Sequence, residues 1–486
     1  MHPTRRDFLG GIAGGVVAGT LLRRLPLLPG RVPESPQSID ELVTWIADVK
    51  HEQANAELLD RLKKGLAVEP LFAALYLAGL RHVEPRPLGF KYHCVLQMAS
   101  LWNVMQALPP PERALPLVYA LDDFKRSQAE QVAAGDWRLP APDENALPAA
   151  GKARAEFDAA MEAWDLAKAD AAVTSLVRNA KREEVIAALA PWSLRSFGNA
   201  GHGAICAANG IRTLDVIGWG HAEPFARALV HGLLELERSA DTAAFARAKE
   251  RARVAPGKAR GGFDAALPAA LAALRKSDSA QAQQLFADLE RETGSMRAGW
   301  LTACAYALEL LARTPGLFAV HAATGVESIQ WLATAVGELE FARLAQSLAA
   351  GWLPLWREAF VRGGTTRDVD VALLLAPAND ATVEVRGAVR ALEGLGPDRW
   401  ATARSIVGGL RVGNVREIFV ARARELLVAK GDEPHDWKFF VALGQLATRC
   451  GDEMAGPLLA CGVHYLRDAA DADFAPVATA RAALAK

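Results

Sequence analysis

The sequence is short of the features that would place it quickly. Its five cysteines in 486 residues, an odd number, exclude a disulfide scaffold. It has no charge excess: 55 Lys and Arg stand against 56 Asp and Glu, a net charge of −1, where a dedicated nucleic-acid binder would be basic. No apolar run has the length and hydrophobicity of a standard membrane span of ~20 residues. Alternating β-branched runs are nearly missing, and the one strand-like stretch, Val369–Leu374, reads equally well as helix. Several catalytic and cofactor signatures are also missing. There is no C-x-x-C-H for covalent haem, no C-x-x-C pair for zinc or iron–sulfur, and no paired E-x-x-H of di-iron bundles. Nor is there a G-x-S-x-G elbow, a P-loop or a G-x-G-x-x-G after a strand.

What remains is a chain of ordinary globular composition, 51% hydrophobic and 23% charged, which excludes a disordered, collagen-like or polytopic membrane protein. Its first thirty residues read as an address. Thr4-Arg5-Arg6-Asp7-Phe8-Leu9, followed by a glycine-rich apolar stretch to Leu22, form the twin-arginine export pattern, with Gly10 where lysine is frequent. No small-x-small site precedes Arg23-Arg24, so both a cleaved signal and an uncleaved N-terminal tether stay open. Residues 1–30 are thus expected to be a signal peptide and 31–41 a solvated linker, with 42–486 a single all-α domain. The expected location is the periplasm, and the twin-arginine translocase is the expected partner during export. That route moves folded proteins, many of them folded around a metal or redox cofactor.

Beyond residue 40 the apolar residues recur at helical spacing, as in Leu58/Leu59/Leu62/Leu66, and alanine, the best helix former, is abundant. Internal echoes then suggest repetition. Segments 151–160 and 257–266 agree at eight of ten positions (GKARAEFDAA and GKARGGFDAA). His231 and His464 each stand seven residues after a proline, Pro224 and Pro457, and 29 residues after another histidine, His202 and His435. His93, His202, His321 and His435 are separated by 109, 119 and 114 residues, and each follows a breaker: Gly89, Gly201, Gly316 or Pro434. The spacing predicts four divergent helical-hairpin modules, about 42–135, 151–240, 257–362 and 385–470, packed as a repeat array or a closed α/α bundle around a central pocket. Each second helix is expected to begin near Pro116, Pro224, Phe341 or Pro457, with linkers at 134–153 and 253–262.

Four histidines at matching places near helix starts would converge if the modules close around one axis. Imidazole is the commonest metal ligand and an acid–base group near neutral pH. His93, His202, His321 and His435 are therefore the expected catalytic or metal-binding residues; the alternative for each is a core histidine bonded to a carbonyl. Asp123, His231, His464 and Asp436 are expected in a second shell, Asp123 as the best carboxylate to orient a histidine, although a solvated helix charge reads as well. His51, His82 and His221 read as surface, helix-end and turn residues. The cysteines Cys94, Cys206, Cys304, Cys450 and Cys461 read as buried packing residues.

Three segments carry a family likeness. Phe318-Ala-Val-His-Ala-Ala-Thr-Gly-Val-Glu-Ser-Ile329 and Pro434-His-Asp-Trp-Lys-Phe-Phe-Val-Ala-Leu443 resemble the H-x-x-T-x-x-x-x-I and H-D-[FW]-x-x-x-x-x-[IL] segments of the questin oxidase-like family. Phe90-Lys-Tyr-His-Cys-Val-Leu-Gln97 resembles that family's upstream aromatic–histidine segment. The resemblance implies a helical fold, NADPH-dependent oxygenation of polyketide-type rings, and roles for His93, His321 and His435 with Asp436. The export signal departs from it, since an exported protein has no ready NADPH supply.

The expectation is thus an exported oxidoreductase acting as an oxygenase on an apolar or aromatic small molecule in a histidine-lined pocket, with iron or another histidine-bound metal. The alternative is a non-enzymatic periplasmic helical scaffold, or a ligand- or haem-binding protein. No nucleic-acid partner is expected.

Overall fold

A computed structural model describes residues 38–235, 242–253, 266–361, 366–375 and 385–485. The twin-arginine segment, most of the linker 31–41 and most of the linker 253–262, with the second GKAR copy, lie outside the described residues. The protein is all-α: helices and short 3₁₀ turns make up its regular structure, and no strand occurs among the described residues. The strand-like stretch is a loop running into a single helical turn, Ala372–Leu375. None of the described helices is long and apolar enough to cross a membrane.

The described chain divides into two compact units, neither contiguous in sequence. One contains residues 38–235, 428–437 and 473–485. It begins with a capping box: the Ser38 hydroxyl accepts from the Glu41 amide at 3.1 Å while the Glu41 carboxylate accepts from the Ser38 amide at 2.9 Å, which starts the helix Ile39–Asp48. Its core is built on Val68–His82, buried continuously from Pro70 to Leu80, and on His202–Ile217, where Asp215 alone escapes burial. A helix buried on all sides shows no amphipathic stripe and must be surrounded by others. Val68–His82 packs on Ile39–Asp48 and on Leu115–Ala134, and Ala150–Ala163 forms a hairpin with Leu166–Asn179. Between His202–Ile217 and Ala222–Glu235 the approach is close enough that a Cβ on Gly210 would lie 1.9 Å from the Phe225 ring. Gly203, where a Cβ would lie 2.7 Å from the Ser193 carbonyl oxygen, and Gly210 thus serve helix packing. The chain's last helix, Ala475–Leu484, returns onto Leu115–Ala134 and His51–Lys63.

The second unit contains the described residues from 242 to 427 together with 438–472. Its centre is Arg297–Arg313, buried from Ala298 to Ala312, packed on Val320–Val336 and Leu339–Val361. A charged triad is built on one buried carboxylate. Glu309, 0% exposed, accepts from Arg275 at 2.7 Å, Arg313 at 3.0 Å and the Val371 amide at 3.1 Å. A buried carboxylate requires this much compensation, and here it ties three segments together. All five cysteines are buried in the two units, as their apolar contexts predicted.

The expected helix starts hold closely at the first helices and less well at the second. His93 and His202 open the helices His93–Leu96 and His202–Ile217; His321 and His435 are second in Val320–Val336 and Pro434–Cys450. The second helices begin at Leu115, Ala222 and Leu339, within two residues of the expected positions, but the fourth begins at Asp452 and carries Pro457 inside it. Pro457 lies beyond the first-turn amides that lack an intrahelical partner, so it removes one backbone hydrogen bond from that helix. The linker 134–153 is also shorter than expected, since helix resumes at Ala150.

Candidate metal centre

The four histidines predicted from their spacing come together. One ligand atom from each of His93, His202, His321 and His435 lies within 4.8 Å of the others, and all four residues are buried. The cluster could hold a metal ion.

Local structure prepares three of the rings in the same way. At the start of a helix the chain turns tightly, and a histidine there can reach back to the carbonyl three residues before it. Nδ1 of His93 donates to the Phe90 carbonyl at 2.8 Å, Nδ1 of His321 donates to the Phe318 carbonyl at 3.0 Å, and Nδ1 of His202 donates to the Asn199 carbonyl. A carbonyl only accepts, so Nδ1 carries the proton and Nε2 of the neutral ring is left as the ligand atom. This is the arrangement by which a backbone carbonyl orients a metal-binding histidine. At His435 a carboxylate replaces the carbonyl, Glu433 Oε2 standing 3.5 Å from Nδ1. Asp436 caps the same helix, its Oδ2 accepting from the Asp432 and Glu433 amides at 3.3 and 3.2 Å.

His93 is the hub. Its ring centroid lies 5.1 Å from that of His202 and 4.4 Å from that of His435, and its Nε2 faces Nε2 of His202 at 3.1 Å. With both protons held at Nδ1, these are two acceptors pointing at each other, which repel unless a cation lies beside both. Imidazole nitrogens at about 2.05 Å from one ion stand ~2.9–3.4 Å apart when adjacent, so the 3.1 Å spacing suits shared coordination. The backbone allows the approach because residue 89 is glycine, at φ 109° and ψ −161°. A Cβ there would lie 3.1 Å from His202 Nε2 and 3.2 Å from Asn199 Nδ2.

Burial keeps the His321 ring neutral. His321 is brought down to about 3 by burial first and by the charge of the buried Lys438 second. A neutral imidazole is the form a metal requires.

The four residues expected in a second shell have identifiable work. Asp123 is buried, accepts from Gln97 Nε2 at 2.7 Å and lies 3.5 Å from Arg126; burial pushes its carboxyl up to about 7, against the pull of Arg126. His231 and Arg227 both bind Asp170, at 3.2 and 2.8 Å. His464 donates from Nδ1 to the Cys461 carbonyl at 3.0 Å and is brought down to about 4, chiefly by burial. Asp436 caps the helix that carries His435. Outside the centre, His51 pairs with Asp122 at 2.8 Å, in keeping with a surface residue.

Sequence reasoning missed the groups that set the rings: the carbonyls of Phe90, Asn199 and Phe318, the carboxylate of Glu433, and Lys438. A carbonyl leaves no mark on residue type. The usable signal was a glycine or proline breaker shortly before each histidine.

No protein-family model, curated protein or solved structure matches the chain. The chemistry of the centre therefore rests on its own geometry.

Proposed function

We propose that the protein is an exported, metal-dependent oxidoreductase of the questin oxidase-like type, in which His93, His202, His321 and His435 bind one metal ion beside a pocket for an apolar or aromatic small molecule. The observation that carries this reading is the pair of Nε2 acceptors of His93 and His202 facing at 3.1 Å, with both Nδ1 protons committed to backbone carbonyls. An all-imidazole donor set suits iron, copper, zinc and nickel, and the resemblance to an oxygenating family selects iron. When bound, the ion would supply redox or Lewis-acid chemistry. The chain's own residues hold the rings in one tautomer and keep water from the donors by burial.

Four modules closing around a shared centre account for the recurrence of a carbonyl-anchored histidine at the first helix of three of them. The balanced charge of the chain favours an uncharged ligand. The twin-arginine pattern at Thr4–Leu9 supports export to the periplasm. An exported protein has no ready NADPH supply, so the nicotinamide donor implied by the family is not part of this reading.

The test is elemental analysis of protein matured through the twin-arginine route, beside a variant with all four histidines changed to Gln. One equivalent of metal is expected in the first and none in the folded variant. Wild-type protein that folds with no stoichiometric metal overturns the metal assignment. It would leave the facing histidines as an acid–base pair, a role the same 3.1 Å contact suits.

A further inference from the structure

We infer that the side-chain amide of Asn199 is a ligand-binding donor at the histidine centre, hydrogen-bonding an acceptor oxygen, carbonyl or phenolate, of the molecule that binds there. The inference rests on the reading of His93 and His202 as part of a ligand site, and it adds a group that is not itself a metal ligand.

Three histidines of the cluster bond through Nδ1 to the carbonyl three residues before them, and the side chains at that preceding position differ. Phe90 and Phe318 are each 69% exposed. Asn199 is different: its Nδ2 is buried and has no hydrogen-bond partner. Buried amide donors are nearly always satisfied, so this one calls for an acceptor that arrives from outside the chain. Its location says where. Asn199 Nδ2 and His202 Nε2 lie 3.2 and 3.1 Å from the position a Cβ would take on Gly89, so both pack against this glycine and the amide stands beside the ligand atom of the ring. The backbone that places the amide is held in an unfavourable form, with Asn199, Ala200 and Gly201 at φ 55°, 56° and 83°. Successive left-handed residues are disfavoured for all but glycine and, less strongly, asparagine, and such strain concentrates at functional sites. The left-handed turn lets one residue do two things: its carbonyl sets the tautomer of His202, and its amide packs against Gly89 beside the ligand atom of that ring.

The chemistry of the donor selects the ligand. An amide N–H cannot coordinate a metal and pairs with oxygen acceptors, so the bound molecule presents an oxygen to the centre. A hydrogen bond to an anionic oxygen contributes about tenfold to a hundredfold in affinity.

The experiment titrates 4-nitrophenol, followed by its absorbance, into the wild type, Asn199→Gly and Asn199→Asp, each as apoprotein and after loading with Co²⁺. Glycine keeps the left-handed turn and the carbonyl that holds His202 while removing the amide. The expected result is probe binding by the wild type, weakened about tenfold to a hundredfold in both variants, with Co²⁺ affinity retained by Asn199→Gly. Equal probe binding by wild type and Asn199→Gly overturns the inference. So does a wild type that binds no probe in either form, or an Asn199→Gly protein that loses Co²⁺ affinity in parallel, which would make the residue structural. Wild-type protein that takes up no Co²⁺ counts against the metal reading alone, and the apoprotein titration still decides the role of Asn199.

Discussion

Substituting Gly89 by Ala would change the centre without removing any ligand. Gly89 sits at φ 109° and ψ −161°, a region that is essentially confined to glycine, so alanine there stores about 1–3 kcal/mol of backbone strain. The added methyl also meets His202, with Nε2 at 3.1 Å and Cε1 at 3.2 Å, against an ordinary carbon contact of about 3.5–4.0 Å. The ring must give by a few tenths of an ångström, and it is anchored through Nδ1 to the Asn199 carbonyl. Gly218 provides the control. At φ 101° and ψ 144° its backbone is similarly strained for alanine, yet nothing lies within 4 Å of its Cβ position. Gly218→Ala should therefore lose comparable stability on a scale of about 1–3 kcal/mol in urea unfolding and leave the centre untouched. Gly89→Ala should lose that stability and also weaken Co²⁺ binding by about tenfold or more, the usual size of a disturbance just outside a ligand set. Co²⁺ titration by visible absorption compares the two. Equal Co²⁺ affinity in Gly89→Ala and Gly218→Ala would refute the claim that residue 89 must be glycine to make room for His202.

Other expectations concern burial and pH. Asp123 has a folded-state value raised from 3.8 to about 7, so its carboxyl favours the folded state when protonated. Its contribution is complete below about pH 4 and is lost as pH rises through 7, a linkage of up to about 4 kcal/mol. Asp123→Asn should therefore be more stable than wild type at about pH 8, with a flatter pH dependence in urea unfolding; an identical dependence would contradict the assignment. His321 works in the other direction, because its value is lowered from 6.5 to about 3. Stability linked to it is complete above 6.5 and is lost as pH falls toward 3, and His321→Gln should remove that part of the acid sensitivity in apoprotein. Glu309→Ala should cost about 3–5 kcal/mol by guanidinium unfolding, because it leaves Arg275 and Arg313 facing each other without their shared carboxylate; a loss below about 1 kcal/mol would mean that water reaches the site.

Much of this was legible from residue order because helices write themselves into sequence. Apolar residues at helical spacing and an abundance of alanine fix an all-α chain, since each turn repeats the same local interaction. The four histidines were legible for a related reason. A breaker followed shortly by a histidine is a local arrangement, and it recurs at intervals of 109, 119 and 114 residues. Less legible were positions where packing overrides local preference. Pro457 looked like a helix start, yet the helix begins at Asp452. His231 and His464 matched each other in spacing, yet one is bound to Asp170 and the other to the carbonyl of Cys461.

By itself, then, the sequence determined the helical class, the places where first helices begin, and which four imidazoles were worth bringing together. Tertiary structure alone decided that their ligand atoms lie within 4.8 Å, that Nδ1 of three of them is committed to a carbonyl, and that Asn199 rather than Phe90 or Phe318 turns its side chain inward. The physical reason is range. Helix formation is settled over a few residues, whereas a ligand set depends on contacts across more than a hundred, and on backbone atoms that every residue type shares.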